Sequence, residues 1–521
     1  MRLSRECRRG HNILTQPLRR VSPAQALLVS YGNITDFLTS LSSVSPFAME
    51  LRSSTSSPAE GGETSGETTA AAEGSDAGLK ATSLFTEAAA GNAAAGVSAG
   101  LDLIHAGLLI TAPVSVGFGV LPWLIFVVTS LGIVSPIMHL YLDHIIMRGV
   151  AYSVNILRHK NWGAAVLLGT LKVLLALVLV ASYNQNCEPS SLYTECSLKN
   201  ADSFAARLGE VSIPNVFTWQ VLTNLLFLLL LMLAAKGIFL MRFVSKDGLA
   251  AVSTRIKEFS LDDTLADPKN NAVAVSLAAF ALAMGLNIAG VVVCPNANPG
   301  LHAAEVLLWT FIGCVLLVIA FAINDRVLLA TVSNTEALLA NNVAIACFEG
   351  GSFIACGVIL RGTLIGGGYD YGEGLALTVL YFAVSQFLLL ITAYLYRLVT
   401  KFDDWEELKN GNVAAGLSGA FTLVAIAVIM AYPIPLYVSL IVFLPIAVTG
   451  IVALVILRVI IDKFVLPGEA LDKEIVEDKN WGAAIIEGAA ALGVAFIFNR
   501  YVPPPGPPFV SPSIDYFDVC S

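Results

Sequence analysis

The stretch GNVAAGLSGA at Gly411–Ala420 decides the fold of this chain. An Asn opens a long apolar segment, small residues follow it, and another small residue returns two helical turns later. Related stretches begin at five other Asn residues, in NAAAGVSAG, NWGAAVLLG, NAVAVSLAA, NVAIACFEG and NWGAAIIEG: Asn92, Asn161, Asn271, Asn342 and Asn480. With Asn412 included, successive Asn residues are 69, 110, 71, 70 and 68 positions apart. This period, broken once, predicts an internally repeated architecture with one insertion.

Composition places the repeats in a membrane. Of the 521 residues, 56% are hydrophobic and 13% are charged, which is more apolar surface than a soluble fold can bury. The net charge of -9 provides no basic surface, so we expect no nucleic-acid partner. The eight Cys residues show no paired CxxC spacing, and the sequence predicts neither a metal site nor a cofactor.

Eleven apolar segments from Asn92 onward are long enough to span a bilayer, at about 1.5 Å rise per residue across roughly 30 Å. They cover residues 93–112, 119–142, 162–183, 216–241, 272–294, 304–324, 343–362, 375–396, 413–433, 436–461 and 481–499. The odd-numbered segments begin with the Asn stretch and are called A helices, and their partners are called B helices. The predicted fold is an all-α, polytopic transmembrane bundle of tandem two-helix repeats in parallel orientation.

Lys and Arg residues indicate the orientation of the spans. The B-to-A connections carry sixteen: Arg148, Arg158, Lys160, Arg242, Lys246, Arg255, Lys257, Lys269, Arg326, Arg397, Lys401, Lys409, Arg458, Lys463, Lys473 and Lys479. The A-to-B connections and the C-terminal tail carry four: Lys199, Arg207, Arg361 and Arg500. This bias places each Asn and the N-terminus on the inner side (cytosolic, matrix or stromal) and the C-terminus outside.

The regions flanking the repeats are predicted to be tails. Residues 1–90 are predicted to be disordered, since much of this segment is rich in Ser, Thr, Gly, Glu and Ala. Its Arg-rich start is typical of an organellar transit peptide, which would place the protein in an organellar inner membrane. A basic tail, or an upstream extension of a chain that starts at Met49, would have the same composition. The repeated domain covers residues 91–500, and a Pro-rich tail covers residues 501–521.

Two inserts account for the break in the period. The outer loop 184–215 carries Cys187 and Cys196, which either form a disulfide in an oxidising compartment or stay free. The inner segment 242–270 is charged, and it is a candidate binding surface for a soluble partner.

The repeat has two predicted physical roles. Asn is a favoured helix N-cap, so all six Asn residues are predicted caps at the inner interface. The fourth and eighth positions after each Asn hold Gly or Ala in eleven of twelve cases, with Val275 as the exception. This spacing lets transmembrane helices approach closely. We therefore expect the A helices to form a tightly packed inner layer and the B helices to face lipid.

Four ionisable residues of the A helices form the candidate polar pathway: Asp102, Lys172, Glu349 and Glu487. On a helical projection they fall within about 100° of arc, beside the small-residue stripe. A charge at membrane depth costs at least about 2.5–3.5 kcal/mol, so it faces the bundle interior and marks either a pathway or an ion pair that holds helices together. His105 is interpreted as a hydrogen-bonded interior residue rather than a metal ligand, because no second His accompanies it, and it is included in the candidate pathway.

Two stretches match protease motifs but lack the required partners. The GLSG at Gly416–Gly419 matches the rhomboid nucleophile motif, yet all six His residues lie at or before His302, so no base follows it. Tyr369 and Asp370 match the YD of intramembrane aspartyl proteases, but no GxGD follows. The sequence predicts no enzyme.

Two stretches carry a family resemblance: NGNVAAGLSGAFTLVAIAVIM at residues 410–430, and Asp462 through LPGEALDKEIVEDKNWGAAIIEGAAALG to Gly493. Both resemble the YjfL-type bacterial inner-membrane proteins, grouped as domain of unknown function number 350. The family pattern is similar to two B–A units, so this chain resembles one orphan A helix followed by five units. The resemblance implies no catalytic residue and no substrate.

Two functions from different classes fit these observations. The first is a membrane protein that passes a small ion or proton along the polar stripe. The second is a structural or scaffolding protein that acts without transport. The lipid bilayer is the expected environment in both, and a homo-oligomer or a soluble partner at residues 242–270 is compatible with either.

The topology can be tested directly. Tags at residue 1, in the 184–215 loop and after Ser521 should report inside, outside and outside, because eleven spans place the two termini on opposite sides. Protease protection of each tag in sealed vesicles measures this. Both termini on one side would contradict the span count.

Overall fold

The computed structural model describes residues 84–115, 120–147, 154–183, 219–244, 260–293, 298–329, 333–365, 371–399, 403–435, 439–461 and 471–501. These residues contain eleven helices long and apolar enough to cross a membrane, which confirms the predicted all-α, multi-pass class. In chain order the spans are α1 (Ala93–Ser115), α2 (Trp123–Ile146), α3 (Trp162–Tyr183), α4 (Trp219–Val244), α5 (Ala272–Val291), α6 (Pro299–Val327), α7 (Val343–Leu364), α8 (Tyr371–Val399), α9 (Val413–Ala431), α10 (Leu440–Ile460) and α11 (Trp481–Tyr501). The odd helices are the predicted A helices.

The odd helices form a row in chain order. Each internal odd helix packs against the odd helix before it and the one after it, and each even helix lies over the junction between two odd helices. In the apolar windows of α3, α5, α7 and α9, 61% to 83% of residues are buried, against 22% to 33% in the even helices. The row is open, since α1 and α11 each pack extensively against one odd helix only.

Small residues bring the odd helices together. A Cβ added to Gly416 of α9 would lie 2.3 Å from the carbonyl oxygen of Ala344 in α7. A Cβ added to Gly351 of α7 would lie 2.4 Å from the Cα of Ala420 in α9. Because both neighbours are backbone atoms, a larger side chain would separate the helices. The small-xxx-small spacing therefore acts between consecutive odd helices.

The Asn side chains tie each repeat to the next. The Oδ1 of Asn412 accepts hydrogen bonds from Ala414 N and Ala415 N at 3.1 and 3.4 Å, which caps α9. Its Nδ2 donates to Ile475 O at 2.8 Å, in the short helix that precedes α11. We call this pair of interactions the Asn staple. Equivalent amide bonds run from Asn92 to Ile156 and Leu157, from Asn161 to Leu265, and from Asn342 to Leu408 and Lys409.

Asn271 does not cap α5, which corrects the sequence-based assignment by one residue. Its side chain makes no capping bond, and its Oδ1 accepts from Gly163 N of α3 at 2.8 Å instead. The neighbouring Asn270 makes the staple: its Oδ1 accepts from Val273 N at 3.3 Å, and its Nδ2 donates to Leu338 O at 3.1 Å. Two adjacent Asn residues left the register ambiguous in the sequence.

The corrected register also removes the exception in the small-residue pattern. Counted from Asn270, the fourth and eighth positions are Ala274 and Ala278, and both are buried. Val275 lies beside them and is partly exposed. All twelve small positions of the six repeats therefore hold Gly or Ala.

Short helices, which the sequence reading did not resolve, precede five of the odd helices: Leu84–Ala89, Leu261–Ala266, Asn334–Leu339, Asp404–Lys409 and Leu471–Val476. We call them linker helices. The residue directly before the Asn that opens a span often has a positive φ, as in Gly411 at +75°, which lets the chain reverse into the span. Asn412 N then donates to Glu407 O at 3.0 Å, the pattern of a Schellman turn.

Two linker helices lie in segments that the sequence placed outside the bundle, the tail of residues 1–90 and the inner segment 242–270. Leu84–Ala89 is helical, so the predicted tail of residues 1–90 extends too far into the repeated domain. Leu261–Ala266 packs against α3 and α5, and its Asp262 accepts a hydrogen bond from Lys236 of α4. This part of the predicted partner loop is therefore docked on the bundle. Cys187, Cys196 and the tail after Tyr501 lie outside the described residues.

Replacing Asn by Ser tests the staple, because Ser keeps a capping oxygen but has no amide to donate. Asn412→Ser should lower the free energy of unfolding by about 1–3 kcal/mol, since the Ile475 carbonyl loses a buried donor. Denaturant titration in dilute mixed micelles measures this.

Asn480→Ser is the matched control. Among the described residues its amide donates to the half-buried Glu474 side chain of its own linker helix, and Asn480 itself is exposed, so the same substitution should have little effect. Equal losses in the two variants would show that the bond between repeats does not stabilise the row.

Candidate functional site

Three charged centres lie in the row, at the first, third and fifth junctions between odd helices. Each centre takes side chains from two odd helices and from an even helix over them. The odd helices α5 and α9 carry no ionisable residue. The candidate pathway residues are therefore divided among separate centres and do not line one common stripe.

The first centre joins α1 to α3. Lys172 Nζ lies 2.9 Å from Asp102 Oδ1, and His105 Nδ1 lies 2.6 Å from the carbonyl oxygen of Lys172. The even helix α2 adds His139 and Asp143, whose side chains are 3.6 Å apart. Three of the five residues of the candidate pathway, Asp102, His105 and Lys172, therefore lie at this centre. Within the described part of the chain, no group of three or more His, Cys, Asp or Glu side chains could hold a metal ion.

The central centre is built around Glu349 of α7. Its side chain is 1% exposed, and its Oε1 lies 2.5 Å from Arg242 Nη2, which comes from α4. Its Oε2 accepts a hydrogen bond from Ser276 Oγ of α5 at 2.7 Å. Glu349 therefore links three helices from two successive repeats.

A second carboxylate shares these partners. Asp325 of α6 lies 3.6 Å from the same Arg242 Nη2. The Nδ2 of Asn334, at the start of a linker helix, donates to Asp325 Oδ1 at 2.9 Å and to Glu349 Oε1 at 3.2 Å. Two carboxylates are thus held by one guanidinium and one neutral amide.

Within the part of the chain that the structure describes, the last centre has one carboxylate. Glu487 of α11 accepts a hydrogen bond from Arg458 of α10, and Ser418 Oγ of α9 donates to its other oxygen at 2.5 Å. A cavity of about 30 Å³ beside the pair is bordered by Thr392 and Thr422 among mainly apolar residues, and it has room for one or two water molecules.

A polar ladder leads from the central centre deeper into the membrane. Ser352 and Cys356 of α7 stand three and seven residues beyond Glu349, on the same helix face. Asn324 Nδ2 donates to Ser352 Oγ at 2.7 Å, and Gln386 Nε2 of α8 donates to Asn324 Oδ1 at 2.9 Å. Cys356 Sγ donates to Gln386 Oε1 at 3.2 Å. All four ladder side chains are buried and hydrogen-bonded to one another.

Aromatic rings close the other side of the centre. Neighbouring ring centroids lie 4.3 to 5.7 Å apart in a cluster of Phe239, Phe243, Phe280, Phe321 and Phe353. Phe280 and Phe353 stand four residues, about one helical turn, beyond Ser276 and Glu349. The rings therefore leave the ladder side chains, which reach α8, as the polar continuation of the centre.

Sequence reasoning missed the partners of the buried carboxylates. Arg242 and Arg458 were counted among the loop cations, yet both lie inside spans and pair with Glu349 and Glu487. Their position within apolar runs was the available signal. Asp325 was not recognised from the sequence as a neighbour of Arg242. The other counted Lys and Arg residues still favour the inner side.

The charged centres recur every second repeat. Glu349 and Glu487 each stand seven residues after the staple Asn of their helix. Ser276 and Ser418, which donate to them, each stand six residues after their own staple Asn, at 270 and 412. The repeating unit therefore comprises four spans in the order even, odd, even, odd.

Comparison with known proteins finds the same unit. A family model described as Domain of Unknown Function (DUF350) matches residues 217–364 and again residues 370–502, more than half of the chain. These matches cover α4–α7 and α8–α11. The chain is also 28% identical over 117 residues to the UPF0719 transmembrane protein YshE of Bacillus subtilis (strain 168), covering 22% of this chain and 86% of that protein. No solved structure matches.

The last ion pair can be tested by removing one or both charges. Arg458→Leu alone leaves Glu487 buried without its guanidinium, so it should cost about 3–5 kcal/mol of unfolding free energy. The double variant with Glu487→Leu should recover most of this loss, because no buried charge remains. Unfolding of both variants in mixed micelles measures the difference. Equal losses would show that the two side chains do not act as a pair.

Proposed function

The chain belongs to the Domain of Unknown Function (DUF350) family, and from this premise we propose that it takes up protons from the inner side at the central centre and passes them into the membrane. It is a multi-pass membrane protein. The observation that carries the proposal is that two carboxylates, Glu349 and Asp325, share the guanidinium of Arg242. The proposal therefore assigns proton uptake to the central centre alone, which contains Glu349 of the predicted pathway.

Among the described side chains in contact at the central centre, two are carboxylates and one is a cation, so one more positive charge would balance them. Arg242 can neutralise one of the two carboxylates, and Asn334 is a neutral donor. A buried carboxylate without a counter-charge is costly at membrane depth. A proton or a small cation bound between Glu349 and Asp325 would restore neutrality.

The difference in exposure between the two carboxylates indicates the side from which a proton would enter the centre. The Asp325 side chain is 37% exposed near the inner end of α6, whereas that of Glu349 is 1% exposed. Asn334 donates to both carboxylates and so holds the accessible one beside the buried one. Because an amide nitrogen cannot accept a proton, the proton that binds at Asp325 would pass to Glu349 between the two carboxylates themselves.

The polar ladder supports a proton over a hydrated ion. Heavy-atom separations of 2.7 to 3.2 Å between its side chains leave no space for a hydration shell. The Ser352 hydroxyl and the Cys356 thiol can each donate and accept, and the Asn324 and Gln386 amides orient them. The ladder begins one helical turn beyond Glu349, at Ser352, and would continue the route toward the outer half of the membrane.

A structural or scaffolding role is the second candidate. The ion pairs Asp102–Lys172 and Arg458–Glu487 each match one acid with one base across neighbouring helices. Such balanced pairs hold helices in register without requiring any transported species. This role needs no flux through the central centre.

Proton flux into proteoliposomes separates the two candidates. The full chain is reconstituted with a pH-sensitive dye inside, and a potassium diffusion potential drives proton entry. Glu349→Gln and Asp325→Asn each leave one carboxylate facing Arg242, so both variants should fold. Each should reduce flux at least tenfold, because the exchangeable charge is lost.

The control is the double variant Arg458→Met with Glu487→Met. It replaces a balanced buried pair with apolar side chains, so wild-type flux should be retained. Liposomes that are equally proton-tight with wild type, Glu349→Gln and empty membrane would overturn the proposal and favour the scaffold.

A further inference from the structure

The two ends of the row carry complementary halves of the interface that joins the repeats. At each internal junction, one repeat supplies a staple Asn amide and the next supplies carbonyl groups before its own span. At the ends of the described row, Asn480 has no following repeat and Leu84–Ala89 has no preceding one. We propose that copies of this chain dock head to tail, with α11 of one copy against α1 of the next.

The donor half is formed at α11. Asn480 Oδ1 accepts from Gly482 N at 3.0 Å, so its side chain has the orientation of a staple. Its Nδ2 donates to the half-buried Glu474 side chain at 2.8 Å, whereas the internal Asn412 donates to a buried backbone carbonyl as well as to Glu407. Asn480 is itself exposed and Asn412 is fully buried. Asn480 therefore has the geometry of the internal staples, and what it lacks is a backbone carbonyl from a following repeat.

The acceptor half is formed before α1. Asn342 donates to the carbonyls of Leu408 and Lys409, which stand four and three residues before the next staple Asn. The same positions before Asn92 are Ala88 and Ala89, at the end of the first linker helix. Ala89 is exposed, and Asn92 N bonds back to this linker as the other staple residues do. Both carbonyls are placed to accept from Asn480 of another copy.

The faces that α1 and α11 present are also consistent with head-to-tail docking. At internal junctions, the eighth position after Asn meets the ninth position of the preceding odd helix: Gly169 faces Leu101, and Gly488 faces Phe421. In α1 the eighth position is Gly100, and a Cβ added there would have no atom within 4 Å. In α11 the ninth position is Ala489, which is exposed. A small residue on each side would allow close approach of the two helices.

This contact preserves membrane orientation, because α1 and α11 are parallel members of one row. It is also heterologous, so successive copies would form a ring or an open chain, without a two-fold pair. In the described residues no even helix follows α11, so the junction between copies has only its odd-helix half. We therefore expect association that depends on protein density in the membrane.

Cross-linking tests the pairing of faces. Full-length chains with two different tags carry Gly100→Cys or Ala489→Cys, are mixed in liposomes, and are treated with a short thiol cross-linker. The mixed pair should cross-link between tags, whereas two Gly100→Cys chains or two Ala489→Cys chains should not exceed wild type. Ile441→Cys, on an 85% exposed position of α10, controls for random collision. Same-position cross-links would overturn head-to-tail docking.

Two substitutions test the interface independently. Asn480→Ser removes the amide but keeps a capping oxygen, and Gly100→Leu fills the receiving face where no neighbour lies within 4 Å. Each should reduce the oligomeric fraction at least fivefold by mass photometry in nanodiscs and detergent, with the melting temperature of the monomer unchanged. Gly237→Leu, at an exposed glycine of α4 with open surroundings, should change neither.

Two outcomes would overturn the proposal. One is a wild-type protein that stays monomeric at every protein-to-lipid ratio. The other is a Gly100→Cys chain whose cross-links map to residues 1–83 of the same molecule, since that segment would then occupy the face.

Discussion

The bidentate use of one Asn side chain at the inner surface is the constraint on which the row depends. In lipid, apolar faces have little reason to prefer one another over acyl chains, so helix positions must be set by specific contacts. The Oδ1 of each staple Asn is fixed to the first turn of its span, and the Nδ2 of the same rigid amide reaches the next repeat. Register between neighbouring repeats is thereby set before the small residues come into contact.

The sequence predicts this scaffold well because its determinants are local. A capping Asn and small residues four and eight positions later repeat six times, and each copy adds support to the others. The one error, Asn271 for Asn270, arose where two adjacent residues could satisfy the same local rule. Only the contact with Leu338, distant in sequence, distinguishes them.

The charged centres were predictable only in part because their chemistry depends on partners from other helices. The helical projection of Glu349 shows that it faces the interior, but it carries no information on which cation it meets. Arg242 reaches it across a sequence separation of more than one hundred residues, and Asp325 joins from a third helix. The arrangement of two carboxylates around one guanidinium at the central centre therefore emerges only when the helices are assembled.

The open, nearest-neighbour row has a consequence for how the protein is made. Each repeat contacts mainly the repeats beside it in sequence, so a newly synthesised pair of spans can settle against a completed face without rearranging earlier ones. The staple donors Asn92, Asn161 and Asn342 all precede their acceptors in the chain, so each repeat exposes its amide until the next linker helix is translated. Repeats can therefore join the row one after another during synthesis. Each new repeat then meets its native neighbour first, because that neighbour is the repeat translated just before it.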